Sequence, residues 1–117
     1  TEQDHVAPWR SAFKIHLLTD TSVTFLLTVG GHNAGIVSEP GHRGRSYRVA
    51  TQASDDHYVD PDSWLAQAAT KEGSWWPEWV AWLGQRSGEP VAPPAMGATA
   101  AGFAPLGDAP GTYVMQT

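Results

Sequence analysis

Residues 23 to 29 read Val23-Thr24-Phe25-Leu26-Leu27-Thr28-Val29, apolar at nearly every position. Such a run predicts a strand covered on both faces, as in a parallel sheet. Ahead of it, Trp9, Ala12, Phe13, His16 and Leu17 recur at helical spacing behind Pro8, a residue suited to a first helical turn. Thr19-Asp20-Thr21-Ser22 ends that pattern. After the strand, Pro40-Gly41 marks a turn, and Arg45 to Thr51 is expected as a short strand or extended arm. Asp60-Pro61 is a helix start, with Asp60 as N-cap and Pro61 at the first helical position. Trp64, Leu65, Ala68 and Ala69 give this helix its apolar face, and Gly73 is expected to end it. Ser74 can cap a further helix that tolerates Pro77 in its first turn. There Trp75, Trp79, Trp82 and Leu83 predict one broad buried stripe, with Trp76 on the opposite face, before Gly88 stops the helix. From Glu89 onward the chain is rich in Pro, Ala and Gly, so an irregular tail is expected. Phe103, Leu106, Tyr113 and Val114 are spaced as its anchors along the body. No internal repeat is visible.

Composition narrows the partners. A chain of 117 residues with 41% hydrophobic positions is enough for one modest domain. Twelve acidic residues against seven Lys and Arg give a net charge of -5 and argue against a nucleic-acid or anionic-membrane partner. Arg43, Arg45 and Arg48 do cluster. They read either as a solvated loop and strand face or as contacts to a phosphorylated or carboxylated ligand. The absence of cysteine excludes disulfides, thiolate metal sites and a cysteine nucleophile within these residues. No i, i+4 histidine pair suggests zinc, and Asp55, Asp56, Asp60 and Asp62 lack a calcium-loop pattern. The polar, acidic start is no secretory signal, and no apolar run approaches a membrane span, so a cytoplasmic protein is expected.

Two loops carry the candidate chemistry. Gly31-His32-Asn33-Ala34-Gly35-Ile36-Val37 follows the apolar strand directly, and its glycines are expected to permit a sharp turn and leave room beside the imidazole. A histidine so placed is where α/β-hydrolases keep their general base. In that fold an acid precedes the base, and Asp4 stands upstream in Gln3-Asp4-His5-Val6-Ala7-Pro8-Trp9. A neutral imidazole must keep one nitrogen free for the nucleophile's proton while the other donates to a carboxylate. The spacing leaves room for one helix and one strand between two loops on the same sheet edge. His5 could support this pair or cap its loop, His16 reads as a satisfied core histidine, and His42 and His57 have no assigned role. No nucleophile is present, so these residues are expected to be the end of a longer enzyme. The tryptophan stripe packs a helix on the body, or else forms a platform for a sugar or an oily polymer.

Four segments in order then carry a resemblance. Gln3-Asp4-His5-Val6-Ala7-Pro8-Trp9 comes first, and Gly31-His32-Asn33-Ala34-Gly35-Ile36-Val37 second. Gly73-Ser74-Trp75-Trp76-Pro77-Glu78-Trp79 with Trp82-Leu83 is third, and Ala109-Pro110-Gly111-Thr112-Tyr113-Val114 last. Together they closely resemble the carboxyl-terminal part of class I polyhydroxyalkanoate synthases, over essentially the whole chain. The resemblance implies an α/β protein, the carboxyl-terminal fragment of an α/β-hydrolase fold. It would comprise a helix, a core strand, the histidine loop, two Trp-rich helices and an extended tail. Residues 1–88 would end the catalytic domain and 89–117 form the tail. It further implies a Cys-Asp-His acyltransferase that polymerises (R)-3-hydroxyacyl-CoA into polyester and releases CoA. Asp4 and His32 match the triad acid and base, the thiol lying upstream, and His5 and Asn33 match positions near the substrate pocket. Acyl-CoA is then substrate and no cofactor is implied. The implied partners are the growing polyester, its granule, the rest of the synthase chain and a second copy in a homodimer. Residues 1–117 alone are expected to be inactive. Asn33 departs from an aliphatic residue usual in the family, and Ser38-Glu39-Pro40 from Asn-Pro-Pro; both departures adjoin the active-site loop. The alternatives are a fragment of a serine hydrolase, such as a polyester depolymerase or esterase, and a Trp-rich binding module.

Overall fold

The apolar run forms a strand, but its neighbour returns against it. In the computed structural model, which describes residues 1–116, β1 (Val23–Thr28), β2 (Ser46–Gln52) and β3 (Thr70–Glu72) form a sheet in the order β1-β2-β3. Both pairings are antiparallel, with Leu26 opposite Val49 and Arg48 opposite Thr70. This corrects the expectation of a parallel sheet. A parallel return needs a crossover, usually a helix, whereas the connection from Val29 to Arg45 holds only turns and bends. The run is apolar on both faces because each faces a different layer. Phe25 and Leu27 join the core, while Thr24, Leu26 and Val49 line a groove on the other side.

The helix ahead of the strand is two short pieces, α1 (Trp9–Phe13) and α2 (Ile15–Leu18), divided at Lys14. Pro8 stands just before α1, with ψ 127°, rather than in its first turn. Trp9 and Phe13 are buried as their spacing predicts. Ala12 and Leu17, expected on the same face, are exposed; Leu17 lies beyond the break at Lys14, which interrupts the helical register. The core gathers Trp9, Phe13, Leu27, Trp64 and Ala68, with Phe25 packed against it. Its rings meet edge-on, Phe13 to Phe25 at 4.9 Å and Phe25 to Trp64 at 5.3 Å, as the aromatic quadrupole favours.

Trp64 arrives on α3 (Pro61–Gln67). Its cap is built as the sequence predicts, with Asp60 Oδ1 accepting from the amides of Asp62 and Ser63, each at 3.0 Å. The helix stops at Gln67 rather than Gly73, because Thr70–Glu72 leaves it to pair with β2. Arg48 supports this exit by donating to the carbonyl of Ala68 at 2.8 Å.

The tryptophan helix α4 (Trp76–Gly84) starts beside Ser74, whose hydroxyl accepts from the Trp76 amide at 3.1 Å. It ends before Gly88. Its stripe is not buried: Trp79 is 43% exposed, Leu83 is exposed, and Trp75 and Trp82 are half-buried. These rings stand across a groove of about 350 Å³ from Leu26 and Val49. Glu78 fastens the helix to the sheet, accepting from the Tyr47 hydroxyl at 3.1 Å and from the Lys71 ammonium at 2.8 Å. Among the described residues, no helix is long and apolar enough to cross a membrane.

Residues from Gly88 onward form a second compact unit. It contains an Ala98 to Phe103 bridge and single 3-10 turns at Thr99–Ala101 and Tyr113–Met115. Phe103, Leu106, Tyr113 and Val114, expected as the tail's anchors, are exposed. Thr117, the last residue of the expected tail, lies outside the described residues.

Candidate functional site

Asp4 and His32, 28 residues apart in sequence, meet in the structure. Asp4 Oδ2 lies 2.8 Å from His32 Nδ1. The acid is held first by the backbone. The amides of Glu2 and Gln3 donate to the carbonyls of Thr28 and Gly30, so the opening residues run alongside the end of β1 in the same chain direction. Thr1 adds a hydroxyl bond to the Gly31 carbonyl at 3.1 Å. The chain then turns, and Asp4 Oδ1 accepts from the amides of Val6 and Ala7, both at 2.9 Å. These bonds, that of Ala7 foremost and then the bond to His32, hold the Asp4 carboxyl down at about 2. The Asp4 side chain is only 7% exposed, while that of His32 is 47% exposed.

An ionised Asp4 accepts from Nδ1–H, which fixes the tautomer and leaves Nε2 as the lone-pair nitrogen. Among the described residues Nε2 has no hydrogen-bond partner. The pair therefore presents an oriented, accessible base.

The histidine loop owes its shape to Gly30 and Gly35 rather than Gly31. Gly30 has φ 121°, and a Cβ there would meet the Gly35 amide nitrogen at 3.0 Å. A Cβ on Gly35 would strike Thr1 and the Thr28 hydroxyl, whereas one on Gly31 would meet nothing within 4 Å. The loop is also tied to α4. The indole Nε1 atoms of Trp75 and Trp76 both donate to the Ile36 carbonyl, at 3.0 Å each. Trp76 is thus not on an opposite face, as its helical spacing suggests, but shares an acceptor with its neighbour. Two adjacent tryptophans at a helix start were the sequence signal for this tie, and periodicity alone hides it.

The other candidates fall apart from the pair. His5 is exposed, and its side chain has no partner among the described residues. Asn33 is exposed and contributes its carbonyl, accepting from the amides of Ile36 and Val37. His16, expected as a satisfied core histidine, packs on Phe13 at 4.4 Å, and its buried Nε2 has no partner among the described residues. Burial lowers its pKa and favours the neutral ring. His42 Nδ1 pairs with Glu39 at 3.1 Å, and the His57 carbonyl accepts from Gln52.

Comparison with known proteins extends this picture. Poly(3-hydroxyalkanoate) polymerase 2 of Ectopseudomonas oleovorans is 38% identical over 112 residues, covering 96% of this chain and 19% of the relative. The poly(3-hydroxyalkanoate) polymerase subunit PhaC of Cupriavidus necator is 35% identical over 114 residues, 97% of this chain and 18% of its own length. That of Rhizobium etli is 35% identical over 116 residues, with 99% and 17% covered. The chain is similar to the carboxyl-terminal part of poly(3-hydroxyalkanoate) polymerases. It spans about a fifth of the length of these polymerases. No family model matches the chain.

Proposed function

We propose that this chain is the Asp–His portion of an acyltransferase that polymerises (R)-3-hydroxyacyl-CoA into polyhydroxyalkanoate and releases CoA. The observation that carries the reading is the 2.8 Å bond from His32 Nδ1 to a well-held Asp4, with Nε2 left open. The similarity to poly(3-hydroxyalkanoate) polymerases supplies the reaction class. In this reading a cysteine thiol from another part of the longer protein sits beside Nε2. His32 takes its proton, the thiolate attacks the thioester carbonyl, and CoA leaves carrying that proton. The 3-hydroxyl group of the next unit then gives its proton to His32 as its oxygen attacks the acyl-enzyme. The ester forms and the cysteine is released. Acyl transfer from sulfur to oxygen changes no oxidation state, so the cycle needs no redox cofactor.

Asp4 orients His32 and stabilises the imidazolium. His5 and Asn33, on the two loops that carry the pair, border the substrate pocket in this reading. The longer protein acts in the cytoplasm as a homodimer at the surface of its polyester granules. Residues 1–117 are inactive by themselves, since they contain no cysteine.

The test is CoA release and polymer formation from (R)-3-hydroxybutyryl-CoA by the longer protein. His32→Ala is expected to lower kcat by at least about 10³-fold, and Asp4→Asn, which favours the wrong tautomer, by about 10² to 10⁴-fold. The reading fails if the unsubstituted protein releases no CoA, or if either variant matches it. Hydrolysis of esters without polymer formation would replace it with a hydrolase.

A further inference from the structure

We infer that the loop from Glu39 to Arg45, next to His32, holds the phosphate groups of the acyl-CoA substrate through Arg43 and Arg45. The inference rests on the acyltransferase reading above and adds a binding subsite to it.

Position comes first. The Val29 amide donates to the Ser46 carbonyl at 3.0 Å, so the start of β2 lies against the end of β1. His32 leaves that edge three residues after Val29, and Arg45 immediately precedes Ser46. The histidine loop and the arginine loop thus emerge from the same end of the same strand pair. Arg45 is anchored there, because its carbonyl accepts from the Gly73 amide at 2.7 Å. Glu39 and His42 shape the loop by pairing with each other at 3.1 Å, and the His42 amide donates to the Glu39 carbonyl.

Pairing comes second. Acidic residues outnumber Lys and Arg twelve to seven, so free arginines are not expected from composition. Arg10 pairs with Asp62, Arg48 with Glu2, and Lys71 with Glu78, while Arg86 lies over the Trp82 ring at 4.0 Å. Among the described residues, Lys14, Arg43 and Arg45 make no ion pair within 4.0 Å, although Glu39 is in the loop of the two arginines and Arg45 contributes to holding its carboxyl down. Arg43 is exposed, and the buried Nε of Arg45 has no acceptor. Two guanidinium groups on the loop from the same strand end as the histidine loop therefore have hydrogen-bonding capacity unused.

Chemistry comes third. The reacting thioester of an acyl-CoA must reach His32, while its phosphates stay at the far end of the pantetheine arm. A cationic loop beside the histidine, rather than over it, suits that division. Guanidinium forks match phosphate oxygens in shape and charge.

The experiment compares two donors of the same acyl group with the longer protein: (R)-3-hydroxybutyryl-CoA and the corresponding pantetheine thioester, which lacks phosphates. In Arg43→Ala/Arg45→Ala, KM for the CoA thioester is expected to rise about tenfold with kcat little changed. The pantetheine thioester should be turned over as by the unsubstituted protein, which also shows that the variant is folded. Adenosine 3′,5′-bisphosphate should inhibit the unsubstituted protein and lose that effect in the variant. An unchanged KM for the CoA thioester, or an equal loss with both donors, overturns the inference. If the unsubstituted protein uses neither donor, the acyltransferase reading itself fails and the subsite falls with it.

Discussion

Asp4 shows how far a single position can be read from sequence. Its partnership with His32 was legible because an acid loop, a helix and a strand separate two loops in an order that one known mechanism requires. What holds Asp4 was not legible, since the decisive donors are the main-chain amides of Val6 and Ala7, which any residue type there except proline would supply. The same limit applies to the glycines: two adjacent ones precede the histidine, and only Gly30 takes the left-handed conformation. The acid's environment has a pH consequence. Its folded pKa, about 2, lies below the ordinary 3.8, so ionised Asp4 adds stability above the ordinary value. That contribution is lost as pH falls toward about 2. In thermal melts of the longer protein, the Tm gap between the unsubstituted form and Asp4→Asn should be constant from neutral pH to about 4, then narrow below it. A gap that stays constant down to about pH 2 would show that the ionised Asp4 carboxyl adds no stability.

Elements were legible where local chemistry fixes them and obscure where long-range pairing does. Asp60-Pro61 specifies a helix start through its own side chain, and the cap is there. The three residues of β3 carry no such signal; they are a strand because β2 offers them an edge. Direction was misread for the related reason that apolar runs record covering layers, not the orientation of the partner strand. Helical spacing likewise could not separate Phe13, which is buried, from Leu17, which is not, since the break at Lys14 lies between them. Substitution separates the two kinds of apolar residue. In residues 1–117, Trp64→Ala should cost about 3–5 kcal/mol, because it removes the ring that Phe13, Phe25 and Trp9 surround. Leu17→Ala should cost under about 0.5 kcal/mol. Urea denaturation followed by tryptophan fluorescence measures both, and equal losses would show that this core does not dominate the stability of the segment.

The groove between the sheet and α4 leaves apolar side chains open to water. Its apolar walls, Leu26, Val49, Trp75, Trp79 and Trp82, stand open beside Thr1, Thr24, Thr28 and Glu78. Tyr47 and Lys71 hold α4 above the sheet through Glu78, so the gap has a fastened wall rather than a loosely packed one. The polymerases that this chain resembles are about five times longer than these residues. The outer edge of β1 points the same way. Glu2 and Gln3 cover only its end, and among the described residues no strand pairs with the rest. Separated from the longer protein, residues 1–117 should therefore bind an apolar fluorescent dye such as anilinonaphthalene sulfonate and associate as their concentration rises. Light scattering and dye titration test both statements. A monodisperse monomer of 1–117 that takes up no dye would show that neither the groove nor the edge of β1 is a surface on which copies associate.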